Sequence, residues 1–256
     1  MTRIAYVVPA PLDRDEAGRV ELDRRAGLLS SWAASDVDVI VRCTEAGPAS
    51  IESAYEEFLC VPPTARVLVD LAADGTDAAI IGCFGDPGLD ALRELVPMLS
   101  VGPASASFAA AMTLGRRVSI LTITASIVPT LRRLVIDMGA RDALASIRPV
   151  GMSVSEVNAA HDVAVDKLLD QGRAALAQDD ADVLVLGCMS MGFLDVADRI
   201  ADVLGVPVIN PAWAALKHTE GLVSQGLRHS RRAYPCPPKV AAGASLDDLY
   251  VTRQPR

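Results

Sequence analysis

The chain has 256 residues, of which 51% are hydrophobic and only 4% aromatic, a composition typical of a folded protein with an aliphatic core. Its net charge of −8 offers no basic surface for nucleic acid or an anionic membrane, so we expect neither as a partner. No apolar run approaches the roughly 20 residues of a membrane span, and the first residues lack a signal-peptide pattern, which predicts a cytoplasmic protein.

Short apolar segments alternate with helical patterns along the chain. The predicted strands are 4–8, 37–42, 78–83, 98–101, 118–124, 146–151, 183–188 and 206–209. The predicted helices are 18–34, 50–59, 64–74, 88–96, 104–114, 126–138, 155–178, 193–204 and 212–226. This alternation predicts an α/β fold with parallel sheets. The stretch 231–256 carries Pro235, Pro237 and Pro238, and we expect it to be an extended tail packed over the surface.

One segment occurs twice. Gly82-Cys83 and Gly187-Cys188 each end an apolar strand, and in both copies Leu-Asp follows six and seven residues after the cysteine. The repeat predicts two similar parallel-sheet half-domains related by a pseudo-twofold axis. We assign 1–104 plus 212–256 to one half and 105–211 to the other. Because ligands bind beyond the carboxyl ends of parallel strands, the cleft between the halves is the expected site of a small-molecule ligand.

The five cysteines are odd in number and have no metal-binding spacing, so we expect reduced thiols and no metal. Each of Cys83 and Cys188 precedes a loop that opens a helix, and a helix N-terminus lowers the pKa of a thiol. The same backbone N–H groups suit an oxyanion formed by loss of a proton beside a carbonyl. The alternative, a packing role, is typical of a cysteine at the end of an apolar strand.

These residues resemble the aspartate/glutamate/hydantoin racemase superfamily, and within it the hydantoin and allantoin racemases. The matching segments are Gly47 to Ser53, Cys83-Phe84-Gly85-Asp86-Pro87-Gly88-Leu89, Leu114 to Ile120, Val185 to Cys188 and Val206 to Ile209. The resemblance implies a cofactor-independent racemase, often homo-oligomeric, in which Cys83 and Cys188 act as opposed acid and base. It also implies substrate contacts at Pro9, Phe84, Gly85, Asp86, Ser105, Thr122, Thr124, Ser190, Met191 and Gly192.

The chain departs from the family pattern at several polar positions. Ala10 lies where an Asn-Pro-Asn-Thr-like segment is usual, Ser105 replaces a glutamate, Ile123 a threonine and Trp213 a small residue. These changes predict a more apolar substrate pocket, or else drift at positions that never touch substrate. The expected substrate is a 5-substituted hydantoin or a related cyclic imide or amino-acid derivative.

Two other functions stay open. The same fold occurs in enzymes that use one cysteine, such as maleate isomerases and arylmalonate decarboxylases, and a two-lobed protein could bind a small molecule without chemistry. Asp86 has two interpretations of its own: it either orients the loop after Cys83 or forms an Asx turn before Pro87.

Overall fold

The computed structural model describes residues 1–249 and contains two parallel β-sheets of four strands each. The strands are β1 (Thr2–Val8), β2 (Val37–Cys43), β3 (Ala78–Ile81), β4 (Leu99–Val101), β5 (Val118–Thr122), β6 (Leu144–Pro149), β7 (Val183–Leu186) and β8 (Val208–Ile209). The helices are α1 (Glu16–Trp32), α2 (Ala54–Ala73), α3 (Leu89–Leu95), α4 (Pro103–Leu114), α5 (Val128–Asp137), α6 (Val154–Ala159), α7 (His161–Asp179), α8 (Met189–Gly192), α9 (Ala197–Leu204), α10 (Pro211–Ser224) and α11 (Pro238–Ala241).

The two sheets have the same strand order. The first runs β2-β1-β3-β4 and the second β6-β5-β7-β8, and every pairing between neighbouring strands is parallel. The strands that precede the two cysteines, β3 and β7, therefore occupy equivalent interior positions. The predicted α/β fold with two similar halves is confirmed.

The interior strands of the first sheet are buried on both faces, because β3 is apolar throughout and β1 is apolar from Ile4 to Val8. On β1, Ile4 and Tyr6 pack into one core and Ala5 and Val7 into another, as the two-residue repeat of a strand requires. The four residues of β3 and the four of β7 are all buried. Such continuous burial is characteristic of parallel sheets covered by helices on both sides.

Four predicted helices differ from those observed: 50–59 and 64–74 form the single helix α2, 155–178 is divided and 193–204 is shortened. α2 continues through Pro62-Pro63, although neither proline has an N–H to donate to the helix. Its buried face, which includes Leu68 and Leu71, packs on the first sheet and compensates for these lost hydrogen bonds. The segment 155–178 divides at Ala160, whose backbone is not helical (φ −129°, ψ 67°). In 193–204, α9 begins only at Ala197, since the short helix α8 precedes it.

The carboxyl-terminal part of the chain returns to the first sheet. Ala212, Ala215 and Leu216 of α10 share a core with β1, β3 and β4. Beyond it, Arg231 donates hydrogen bonds to backbone carbonyls in the last turn of α3. The short helix α11 interrupts the stretch that the sequence predicts to be extended. Positions 250–256 of the predicted tail lie outside the described residues. Within residues 1–249, no helix combines the length and the apolar character that a membrane span requires.

Candidate active site

A cavity of about 370 Å³ lies where the carboxyl ends of the two sheets meet. The segments after β1 and β3 form one wall and those after β5 and β7 form the other, and both Cys83 and Cys188 line it. The equivalent placement of β3 and β7 brings the two thiols to one space, as the repeat predicts.

Cys188 lies at the N-terminus of α8 and is 9% exposed. Burial raises the pKa of its thiol, while four groups partly oppose that effect. They are the backbone N–H groups of Met191 and Ser190, the charge of Arg25 and the Ser190 hydroxyl. These four groups offset part of the cost of burying a thiolate at this end of the cavity.

Cys83 has a different environment. Burial raises its pKa well above the usual range, and the neighbouring Cys60 and Glu57 raise it further. The N–H of Gly85 lowers it, whereas the charge of Cys188 raises it. Because acidic groups surround Cys83 and a cation accompanies Cys188, the structure makes Cys188 the easier thiol to ionise.

The expectation that helix N-termini lower the pKa of both thiols is wrong. The N–H donors are present, but removing a thiolate from water costs more than they return, so both pKa values rise. Because the charge of Cys188 also raises the pKa of Cys83, ionisation of Cys188 opposes ionisation of Cys83.

The residues for which the sequence predicts substrate contact divide into two groups. Five line the cavity: Pro9, Phe84, Gly85, Thr122 and Ser190. Five others do not: Asp86, Ser105, Thr124, Met191 and Gly192. The second group supports the site from behind, since Met191 turns its N–H to Cys188 and the Gly192 carbonyl accepts a hydrogen bond from Asn210. Thr124 instead pairs with Ser126, 2.7 Å away.

Asp86 caps a helix and in this way orients the loop after Cys83, which is the first of its two interpretations. Its carboxylate accepts hydrogen bonds from the backbone N–H groups of Ala104 (2.9 Å) and Ser105 (3.0 Å) and from the Ser105 hydroxyl (2.6 Å). Burial raises its pKa to about 6 although these three donors oppose the shift. Asp86 thus fastens the loop that follows Cys83 to the start of α4.

Polar side chains missing from the sequence prediction also line the cavity. They come from the loop before α1, from α1, from the segment before α2, from α2 and from α6, and they are Arg14, Arg25, Ser50, Glu57, Ser155 and Asn158. The expectation of a more apolar pocket overlooked them, because none lies near Cys83 or Cys188 in sequence. Only the match at Gly47 to Ser53 pointed to one of these segments.

Arg25 is a buried cation of the site and is only 5% exposed. Its Nε donates to Glu21 at 2.7 Å, its Nη2 donates to the Ser190 hydroxyl at 3.2 Å, and its guanidinium lies 4.8 Å from the centre of the Phe193 ring. These contacts fix the charge beside the loop that follows Cys188. Nothing in the sequence distinguishes Arg25 from the exposed arginines of α1, Arg19 and Arg24.

The four departures from the family pattern are not equivalent. Ala10 and Ile123 line the cavity and make its wall less polar. Ser105 contacts Asp86, and Trp213 stacks on Trp32 with ring centres 5.5 Å apart. The last two changes therefore alter packing and capping around the site rather than the cavity surface.

The other candidate groups lie elsewhere. His161 and His218 are exposed, and His229 accepts a hydrogen bond from the backbone N–H of Ser100 at 2.8 Å. Asp182 accepts hydrogen bonds from the N–H groups of Arg116 and Arg117, as in an ordinary turn. Among residues 1–249, no group of three or more His, Cys, Asp or Glu side chains has the arrangement of a metal site.

Comparison with known proteins places this geometry among racemases. The family model of Asp/Glu/hydantoin racemases matches residues 26–219. A hydantoin racemase from Pseudomonas sp. (strain NS671) is 34% identical over 86% of this chain and 88% of its own length, and one from Rhizobium meliloti is 36% identical over 77% and 81%. The solved allantoin racemase from Klebsiella pneumoniae is 28% identical, covers 93% of this chain and 94% of its own, and superimposes with a TM-score of 0.84.

Proposed function

Because the chain belongs to the Asp/Glu/hydantoin racemase family and is an isomerase, we propose that it racemises a 5-substituted hydantoin or a closely related cyclic imide by means of Cys83 and Cys188. The observation that carries this proposal is the cavity itself: two thiols at equivalent strand ends, one from each half, line a single space. Inversion of a carbon requires a base on one face and an acid on the other.

The unequal surroundings of the two thiols support a starting state in which Cys188 is the thiolate and Cys83 is the thiol. Cys188 has Arg25 and two backbone N–H groups to stabilise its thiolate, whereas Cys83 has acidic neighbours that keep it protonated. In one direction, the Cys188 thiolate removes the proton from the carbon beside the carbonyl. The bonding electrons move into that carbonyl, and the Cys83 thiol then delivers its proton to the opposite face. The reverse direction exchanges the two roles.

The negative charge that forms on the carbonyl oxygen needs nearby donors. The backbone N–H groups at the Cys188 end and the buried guanidinium of Arg25 are already fixed in place, so they need no reorganisation during the reaction. The proposed reaction uses only these protein groups and no cofactor.

The relatives and the cavity support the proposed substrate class. The curated relatives are named hydantoin racemases, the solved neighbour is an allantoin racemase, and allantoin is itself a 5-substituted hydantoin. The ring of such a substrate offers a carbonyl beside the reacting C–H and further N–H and C=O groups for hydrogen bonds. Ser50, Ser155 and Asn158 are placed on the cavity wall to make such contacts.

The experiment is racemisation in D₂O, starting from one enantiomer of a 5-substituted hydantoin. Loss of optical rotation should be accompanied by deuterium at the reacting carbon, measured by mass spectrometry. Cys83→Ser and Cys188→Ser should each lower the rate by at least about 100-fold, since each removes one proton-transfer group. The matched control is Cys236→Ser, which changes an exposed cysteine outside the cavity and should keep the wild-type rate. A wild-type rate in either active-site variant contradicts the two-thiol reaction.

A further inference from the structure

The proposed reaction leaves one acidic side chain of the cavity without a role. Glu57, on α2, lines the cavity, and its Oε1 is shielded from solvent with no hydrogen-bond partner among the described residues. A buried carboxyl oxygen without a partner is costly, and such groups in native structures usually serve a function. Burial raises the pKa of Glu57 to about 7, and the charge of Asp86 adds to the shift.

Glu57 faces Cys83 across Gly85. A Cβ atom added to Gly85 would lie 2.1 Å from Oε1 of Glu57 and 3.8 Å from Sγ of Cys83, so both atoms border the space that this glycine leaves empty. The two groups also interact electrically, because Glu57 raises the pKa of Cys83. Glycine at 85 therefore lets the carboxyl lie beside the thiol without a direct hydrogen bond, with room for one water to link them.

Glu57 and Gly85 also line a second cavity, on the other side of the active-site wall. This cavity has a volume of about 490 Å³ and lies between α2 and α5. Phe58, at its border, is 71% exposed, and Arg133 and Asp137 of α5 provide charged groups there. Glu57 thus lies between the buried thiol and a route to the surface that does not pass through the substrate.

We propose, on the premise of the two-thiol reaction, that Glu57 returns a proton to Cys83 after each turnover in which Cys83 has acted as the acid. The O–H bond of the Glu57 carboxyl breaks as the S–H bond of Cys83 forms. The Glu57 carboxylate then takes a proton from water in the outer cavity, and the Cys188 thiol gives its proton to water. One proton enters and one leaves, which restores the starting state.

The surrounding charges agree with this direction of transfer. The pKa of Cys83 is higher than that of Glu57, so proton transfer from the Glu57 carboxyl to the Cys83 thiolate is favourable. The charged and titratable groups that face Glu57 are Asp86 and Cys83 after β3, Cys60 on its own helix and Arg133 on α5. Above pH 7 the carboxyl is ionised and cannot recharge the thiol, so turnover in this direction should fall.

The first test is Glu57→Gln, which keeps the shape of the side chain and removes the proton. At saturating substrate, kcat should fall at least about tenfold, whereas kcat/KM should stay within about twofold because the loaded enzyme still reacts. Imidazole buffer should restore kcat in the variant by supplying protons through the outer cavity, and should leave the wild type unchanged. The matched control is Asp70→Asn, an exposed acid on the same helix, which should behave as wild type.

A second test needs no turnover: alkylation of each thiol by iodoacetamide, followed by peptide mass spectrometry. Removing the Glu57 charge should speed alkylation of Cys83 at pH 8.5 by at least about threefold and leave Cys188 unchanged. An unchanged Cys83 rate overturns the Glu57 proposal, as does an equal fall of kcat and kcat/KM without buffer rescue. If the wild type racemises no hydantoin yet Cys83 responds to Glu57→Gln, the proton-exchanging pair is supported and the proposed substrate is refuted.

Discussion

Gly102 is a position where one added methyl group should displace a side chain that frames the site. It precedes α4, and a Cβ atom there would lie 2.2 Å from both Cγ and Oδ2 of Asp86. Asp86 cannot yield freely, because it is buried and already accepts three hydrogen bonds from Ala104 and Ser105. Gly102→Ala should therefore push the carboxylate out of its place at the N-terminus of α4.

The expected loss can be worked from these contacts. Each hydrogen bond is worth about 1 kcal/mol net, so displacing the carboxylate from all three should cost about 3 kcal/mol of unfolding free energy. For a chain of this length, 1 kcal/mol shifts Tm by about 2–4 °C, which predicts a fall of about 6–12 °C.

Urea unfolding followed by circular dichroism, together with a thermal melt, measures this loss. The matched control is Gly27→Ala in the interior of α1, where a new Cβ atom meets no atom within 4 Å. Alanine there should stabilise the helix by about 0.5–1 kcal/mol. If Gly102→Ala unfolds at the same urea concentration as the wild type, Asp86 does not hold α4 in the way the structure indicates.

Two further predictions concern charged groups. Arg25→Met removes the cation that opposes the burial-raised pKa of Cys188, so racemisation and alkylation of Cys188 should each slow about tenfold, and Arg25→Lys should lose less. Burial, with help from Arg93, lowers the pKa of His229 from 6.5 to about 4, so the folded state favours its neutral form. The contribution of neutral His229 to the free energy of unfolding is complete above pH 6.5 and is lost as pH falls through about 4. In acid unfolding, His229→Gln should therefore be less sensitive to pH over this window; equal sensitivity contradicts the assignment.

The repeat explains why so much of the fold can be predicted from sequence. Apolar runs such as Val183–Leu186 must be buried, and parallel sheets bury them on both faces, so all eight strands were predicted close to their observed positions. The predicted break between helices 50–59 and 64–74, which contains Pro62-Pro63, is wrong. Helix propensity reflects only the residues nearby in sequence, and here tertiary packing outweighs it. The apolar face of α2 packs on the first sheet, and that packing outweighs the loss of two backbone donors.

The walls of the site were harder to predict than its two thiols. Cys83 and Cys188 are marked by their own sequence context, whereas Arg25 and Glu57 reach the cavity only because α1 and α2 pack beside the strand ends. Periodicity does not reveal which charged residue of a surface helix turns inward. The pKa directions depend on burial and on neighbours distant in sequence, so they too required the folded chain.

The matched strand orders have a consequence for how the protein treats its two ligands. Mirror-image molecules in water have equal free energies, so a catalyst that interconverts them works best when it holds both about equally well. The cavity meets this requirement because its two halves are similar, each contributing one strand end and one thiol. Either enantiomer therefore meets a similar set of groups on the two sides of its reacting carbon. The differences that remain, Arg25 on one side and Glu57 on the other, leave the equilibrium untouched and affect only the heights of the barriers along the way.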